Sequence, residues 1–282
     1  YIFAREYPPA QFAVLASLMV GLGSVGNLVA SYPMAFAADT LGWRSSLWGL
    51  AAISALVAIG TLIFVQDPKP VEGEKSGTLM ELLCLKVLWP IYPIIFFSYA
   101  ISGAIRGLWI GPYLADTFAA STSLIGAATL LMGVAMIAGT LAYGPLDRIL
   151  ASRKWMIAGG SFITLICAIV LVTLPMQGLW LSVALMCGIG FFGAPYPVLM
   201  AHGRSFLPSH LIGRGVTMLN LCSIGGVGVL QFLSGKLFVS ASQGTAGSAG
   251  GLDPYVAVFV LFSVSLALGL FIYLFSRDSA RN

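Results

Sequence analysis

The sequence predicts an all-α fold, a polytopic transmembrane helix bundle with eight spans. Of its 282 residues, 59% are hydrophobic and only 9% are charged, whereas a soluble domain carries about 25% charged residues. Eight apolar segments are each long enough to cross a bilayer, which takes about 20 helical residues. The basic residues gather in alternate connections between these segments, as membrane topology requires. This composition excludes a soluble globular domain, a collagen, a disordered tail and a disulfide-stapled secreted domain.

The predicted spans follow one another with short connections that are polar or contain Gly or Pro. In chain order they cover residues 12–36, 46–65, 88–113, 122–146, 155–174, 179–201, 214–239 and 254–275. None shows the alternation with a period of two that is typical of a membrane β-barrel. A helix bundle is therefore the predicted architecture.

The basic residues predict the orientation of the bundle. With the segment before the first span in the cytoplasm, only Arg44 and Lys236 fall outside, and Arg106 lies within the third span. Cytoplasmic connections of membrane proteins carry an excess of Lys and Arg, which predicts a cytoplasmic C-terminus here. The eleven cytoplasmic basic residues are Arg5, Lys69, Lys75, Lys86, Arg148, Arg153, Lys154, Arg204, Arg214, Arg277 and Arg281.

The longest connection, residues 66–87, is predicted to be a cytoplasmic central linker. It separates residues 1–65, which hold two spans, from residues 88–282, which hold six. Within it, Thr78-Leu-Met-Glu81 has the spacing of a capping box, in which a Thr side chain caps a helix start and a Glu three residues on reaches back. This pattern predicts a short amphipathic helix before the third span.

The sequence contains no pattern typical of an enzyme, a metal site or a cofactor site. The four cysteines have no metal-ligand spacing, so we interpret them as small apolar residues. His202 and His210 are predicted in a cytoplasmic connection without a neighbouring acid, and no phosphate-binding loop is present. The net charge of +4 is explained by membrane topology, so no nucleic-acid partner is expected.

Arg106 is the strongest candidate for a functional residue. A charged side chain within a span is costly unless it faces water, a partner or a ligand. At about 100° per residue, one helical face carries Arg106 together with Ser98, Tyr99, Ser102, Trp109 and Tyr113. A second stripe, Gly103, Gly107 and Gly111, is typical of close helix packing. We interpret the polar face as directed at a cavity; the alternatives are that Arg106 snorkels to the interface or pairs with an acid elsewhere.

Further polar candidates lie on other spans. Ser24 and Asn27 share an arc of the first span, Asn220 and Gln231 lie on the seventh, and Tyr196 lies on the sixth. Each belongs either to a cavity or to an interhelical contact, because a buried amide or hydroxyl needs a partner. Around Tyr196 the glycines and prolines of residues 188–197 predict a bend in the sixth span.

Several motifs resemble the major facilitator superfamily when taken in their order. Ala4-Arg-Glu-Tyr-Pro-Pro-Ala-Gln resembles the link between its fourth and fifth helices, and Leu41-Gly-Trp-Arg44 the next link. The loop containing Asp147, Arg148, Arg153 and Lys154 resembles the basic signature repeated between helices eight and nine. Ala201-His-Gly-Arg-Ser-Phe-Leu-Pro, followed by Gly213-Arg-Gly and Asn220, resembles the approach to helix eleven in bacterial members.

The basic signature departs from the family pattern. Gly144 stands three residues before Asp147, where the family has Gly four before, and Leu150 replaces a second Gly. The turn is thus altered, while the charges that could hold neighbouring helix ends together remain. By resemblance Asp147, Arg148, Arg153 and Lys154 form a conformational latch; the alternative is a cytoplasmic anchor that follows the positive-inside rule.

The resemblance implies a partial fold of that family: the end of helix four, helices five and six, and a complete C-terminal six-helix half. The remaining N-terminal helices are then missing from this sequence and expected in the same chain. Family members have two halves that rock about a substrate site between them. Since no acid lies within a predicted span, a site for a coupling proton or cation is expected in the missing helices.

The implied function is that of a secondary active transporter, which moves a small solute by alternating access through a bacterial inner membrane. Arg106 makes an organic anion the expected solute, because guanidinium suits carboxylate. Two alternatives stay open: efflux of apolar compounds by the same fold, and a protein of another class, either a non-transporting membrane sensor or scaffold or an intramembrane transferase.

Overall fold

The computed structural model of the chain describes residues 32–65, 78–150, 152–173, 178–245 and 253–278, together with Gly23, Gly26 and Val29. These residues form helices and short connections, and no strand occurs among them. Helices satisfy their own backbone hydrogen bonds, which is what a chain in lipid requires.

Eleven α-helices of this part are labelled here in chain order. They are α1 (Tyr32–Leu41), α2 (Trp43–Phe64), α3 (Leu79–Cys84), α4 (Ile91–Ala104), α5 (Ile110–Phe118), α6 (Thr122–Ile149), α7 (Arg153–Thr173), α8 (Leu179–Phe192), α9 (Tyr196–Arg204), α10 (Ile212–Thr245) and α11 (Pro254–Tyr273). A π-helical segment, Ile105–Trp109, joins α4 to α5, and two 3₁₀ turns cover Lys86–Leu88 and Ser209–Leu211.

Seven helical stretches of the described part are long and apolar enough to cross a membrane. They are Trp43–Phe64, Lys86–Phe118, Thr122–Asp147, Arg153–Thr173, Leu179–Arg204, Ile212–Gln243 and Pro254–Tyr273. They coincide with seven of the eight predicted spans, which confirms the all-α membrane bundle. The remaining predicted span, 12–36, lies mostly outside the described residues.

The chain divides into two compact units, residues 1–74 with 121–130, and residues 75–120 with 131–282. In the first unit α1 contacts α2. Ser46, the one residue of α2 that is buried, donates its hydroxyl to the carbonyl of Gly42 at 3.0 Å. The apolar side chains of α2 are largely exposed, as expected of a helix whose solvent is lipid.

In the second unit α4 lies at the centre, in contact with α10 and α11, while α7 contacts α8 and α11. The approach of α10 to α4 depends on Gly226, where an added Cβ would collide with the carbonyl of Phe96. Two glycines of the predicted stripe pack against α10: Gly103 faces Val227, and Gly107 faces Gln231. Small residues here let two helix backbones approach closely.

Two local predictions are confirmed. The Oγ of Thr78 accepts a hydrogen bond from the Glu81 amide at 3.3 Å and caps α3, as the capping box predicts. The sixth span is interrupted at residues 193–195, where α8 ends and α9 begins. The π-helical segment at Ile105–Trp109 was not predicted.

Candidate functional site

Arg106 lies in the π-helical segment, a one-turn widening of the helix that is frequent at functional sites. Its side chain is partly buried. The guanidinium lies against Gly133 of α6, where an added Cβ would stand 3.2 Å from Nε and from one terminal nitrogen. Because Gly133 has no side chain, the guanidinium of Arg106 can lie close to the α6 backbone.

The amide of Gln231 lies against Gly107. The Nε2 atom of Gln231 would be 3.1 Å from a Cβ added to Gly107, the residue that follows Arg106. The indole of Trp109 donates to Ser234 Oγ at 2.8 Å, and that hydroxyl donates to the Gln231 carbonyl at 3.1 Å. These bonds hold the Gln231 turn of α10 against the π-helical segment.

A second polar group lies earlier along α4. Tyr196 donates its hydroxyl to Asn220 Oδ1 at 2.7 Å, and the ring of Tyr99 lies 5.9 Å from that of Tyr196. Tyr99 and Tyr196 are partly buried, while Asn220 is exposed. Since Tyr99 precedes Arg106 by seven residues, the two groups are separated by about 10 Å along the helix axis.

Three predicted site residues are buried within the helix bundle. Ser102 donates its hydroxyl to the carbonyl of Ile189 at 3.0 Å. Trp109 is 5% exposed, and Tyr113, fully buried, hydrogen bonds with Ser182 at 3.2 Å. The predicted polar face is thus divided: Tyr99 and Arg106 are partly exposed, and these three contact neighbouring helices. Ser24 and Asn27 lie outside the described residues.

The predicted latch residues contact two helix ends at one end of the bundle. Arg153 and Asp147 form a two-pronged ion pair across the α6–α7 connection, with Nε–Oδ1 at 3.0 Å and a terminal nitrogen 3.3 Å from Oδ2. Lys154 Nζ donates to the carbonyls of Leu274 at 2.6 Å and Ser276 at 2.7 Å, where α11 ends. A cation at a helix C-terminus is favourable. The side chain of Arg148 is not described, and the latch role stays a prediction.

His202 is a residue of this region whose position the sequence reasoning missed. It lies on α9, fully buried, rather than in a connection. Its Nδ1 hydrogen bonds with the hydroxyl of Tyr273 at 2.8 Å, and its Nε2 with the carbonyl of Arg277 at 3.0 Å. The partners are more than 70 residues away along the chain, so no local pattern could have paired them.

Among the described residues no group of three or more His, Cys, Asp and Glu could hold a metal ion. The side chains of the site instead offer one cation, amides and hydroxyls. Such a set can bind an anionic or polar solute by hydrogen bonds and charge.

A sequence model of the Major Facilitator Superfamily matches residues 1–223, most of the chain. The chain belongs to the Major Facilitator Superfamily. No curated protein matches the sequence. A solved structure, that of a bacterial homolog of the human lysosomal transporter Spinster in an inward-facing, unoccupied conformation, matches with a TM-score of 0.63 at 14% identity. The match covers 98% of this chain and 72% of that one, and it shows the fold.

The superfamily membership confirms the resemblance that the sequence motifs predicted. As a member of the Major Facilitator Superfamily, the protein is an integral, multi-pass membrane protein of the secondary transporter type. Lipid and a small-molecule substrate are the partners that membership implies.

Proposed function

We propose that the protein is a secondary active transporter that moves a small organic anion by alternating access, with Arg106 binding the anionic group. The observation that carries the proposal is the position of Arg106 inside a membrane-spanning stretch, partly buried, with its guanidinium against Gly133. A charge at such depth is costly, by about 2.5–3.5 kcal/mol on insertion scales, and marks ion and substrate pathways.

The neighbouring side chains support an anion with further polar groups. The planar guanidinium suits a carboxylate, to which it can donate two parallel hydrogen bonds. The Gln231 amide lies against Gly107, the next residue of the helix. The Tyr196–Asn220 pair offers neutral donors and acceptors closer to the start of α4. In this proposal Arg106 fixes the charged end of the solute and the amides and hydroxyls fix the rest.

The proposal includes the organisation of the whole protein. Residues 1–65 end the N-terminal half, residues 66–87 form a cytoplasmic linker, and residues 88–282 form the C-terminal half. The other N-terminal helices complete the substrate path, and one of them provides the site of a coupling proton or cation. The membrane is a bacterial inner membrane with the C-terminus in the cytoplasm, and Asp147, Arg148, Arg153 and Lys154 act as the latch.

The test is uptake by proteoliposomes that contain the protein as its gene encodes it. Radiolabelled lactate, succinate and citrate serve as probes. We expect saturable uptake of at least one of them, and a loss of about 10- to 100-fold in Arg106→Gln, because a hydrogen bond to a charged group contributes about 1.5–3 kcal/mol. Arg106→Lys should keep part of the activity, since it retains the charge and loses the planar fork.

Arg204→Gln is the matched control, because it removes an exposed arginine at the end of α9. Its uptake should equal that of the wild type. Unchanged uptake in Arg106→Gln would refute the role of Arg106. Extrusion of an apolar dye without uptake of any anion would instead favour efflux of apolar compounds, and no flux of either kind would favour a sensor or scaffold.

A further inference from the structure

A groove with two basic residues lies between the segment that leads into α4 and the end of α11. Its lining residues are Lys86, Val87, Pro90, Phe275 and Arg277, and its volume is about 320 Å³. Ligand pockets commonly start at about 300 Å³, so the groove has room for a small head group. It lies apart from Arg106 and from the proposed substrate site.

The two charged side chains that line the groove are both positive. Lys86 and Arg277 are both exposed, and neither forms an ion pair with a described acid. The adjacent carboxylate of Asp278 accepts hydrogen bonds from the Ser152 hydroxyl and, at 3.2 Å, from the Lys154 amide. Glu81, on α3, contacts His210 at 3.4 Å.

One wall of the groove is held in place by contacts of its backbone. The carbonyl of Arg277 hydrogen bonds with the buried ring of His202 at 3.0 Å. Lys154 binds the carbonyls of Leu274 and Ser276, on either side of Phe275. The backbone that carries Phe275 and Arg277 is therefore fixed before any ligand arrives, which reduces the ordering cost of binding.

The apolar side chains next to the groove place it at a membrane interface. Trp89 is 59% exposed, and its indole N–H donates to the carbonyl of Leu83 at 2.9 Å. Phe275 is 71% exposed, and its ring lies 5.3 Å from that of Phe271, one turn deeper in α11. Exposed aromatic residues at the end of a span are typical of the lipid interface, with the basic groups on the water side.

We propose that this groove binds the phosphodiester head group of an anionic phospholipid, from the leaflet at which α4 begins and α11 ends. Lys86 and Arg277 bind the phosphate, and the acyl chains lie along Phe271 and Phe275. Charge complementarity identifies the occupant: two cations at the water side and exposed aromatic rings at the hydrocarbon side match the two ends of such a lipid. Basic pockets between spans bind anionic head groups in this manner.

The test is native mass spectrometry of the protein as its gene encodes it, released from detergent and titrated with phosphatidylglycerol or phosphatidylcholine. We expect a saturable phosphatidylglycerol adduct, whose dissociation constant rises about 30-fold in the double variant Lys86→Gln/Arg277→Gln. Each basic residue near a membrane surface contributes roughly a fivefold factor to the affinity. The control double variant, Arg204→Gln/Lys236→Gln, loses the same charge away from the groove and should bind as the wild type does.

Competition and folding controls separate the remaining outcomes. Millimolar inorganic phosphate should leave the phosphatidylglycerol adduct in place if the acyl chains contribute, and displacement by phosphate alone would overturn the lipid assignment. Equal affinity for phosphatidylcholine, or an equal dissociation constant in wild type and groove variant, would overturn the site. An unchanged melting temperature without added lipid verifies that the groove variant is folded, and the single variants Lys86→Gln and Arg277→Gln replace it if it is not.

Discussion

At the scale of a single residue, the surroundings of Arg106 depend on a glycine. An added Cβ at Gly133 would stand 3.2 Å from two guanidinium nitrogens, tighter than an ordinary van der Waals contact, so the guanidinium must shift. We expect Gly133→Ala to lower proteoliposome uptake of the transported anion about tenfold, because small displacements of a binding group are costly, while the melting temperature in detergent changes little.

Gly159→Ala is the matched control for Gly133→Ala. Both glycines lie within helices, but a Cβ at Gly159, in α7, meets no neighbouring helix within 4 Å. Its uptake should equal that of the wild type, since a helical Ala in open space is tolerated. Equal uptake by the Gly133→Ala variant and the wild type would show that the position of the Arg106 guanidinium does not affect transport.

At the scale of the element, His202 joins α9 to the end of α11. Its ring is fully buried between the Tyr273 hydroxyl and the Arg277 carbonyl. His202→Ala leaves the buried Tyr273 hydroxyl without this partner, at about 1–3 kcal/mol, removes the bond to the Arg277 carbonyl, and opens a cavity. We expect the melting temperature in detergent to fall by roughly 5 °C or more.

His210→Ala is the control for this substitution. The His210 side chain is about half exposed and contacts Glu81 at the surface, and such pairs contribute little to stability. Its melting temperature should stay within about 1 °C of the wild type. A double-mutant cycle with Tyr273→Phe should show that the two substitutions are not additive, and full additivity would refute the coupling of α9 to α11.

Features that depend on residues close together in the sequence could be predicted, and features that depend on distant residues could not. Span limits follow from local hydropathy, so residues 254–275 were predicted where Pro254–Tyr273 forms. The Thr78 cap is also local. Ser102 is buried against a carbonyl 87 residues away along the sequence. His202 is held by partners more than 70 residues away. Helical periodicity placed Ser102 and Arg106 on one face, but only the neighbouring helices decide which of them is buried.

At the scale of the whole molecule, alternation of the spans places every described connection on one of two membrane faces. The connections at residues 119–121 and 174–178 carry no basic residue. The α6–α7 connection leads into Arg153 and Lys154, and α9 ends at Arg204. An excess of Lys and Arg marks the cytoplasmic side, so the two kinds of connection are predicted on opposite faces.

Reporter fusions in bacterial cells test this orientation. Alkaline phosphatase is active only outside the cytoplasm, and green fluorescent protein fluoresces only inside it. We expect active phosphatase after Ala120 and Gly178, and fluorescence after Ser152 and Asp278, because positive charge retains the last two on the cytoplasmic side. Each reporter is fused separately at every position. The two reporters should give opposite results at one position, which provides the control. The opposite pattern would show that the orientation is inverted and that the groove of Lys86 and Arg277 lies at the outer leaflet. A pattern without alternation would refute the span assignment.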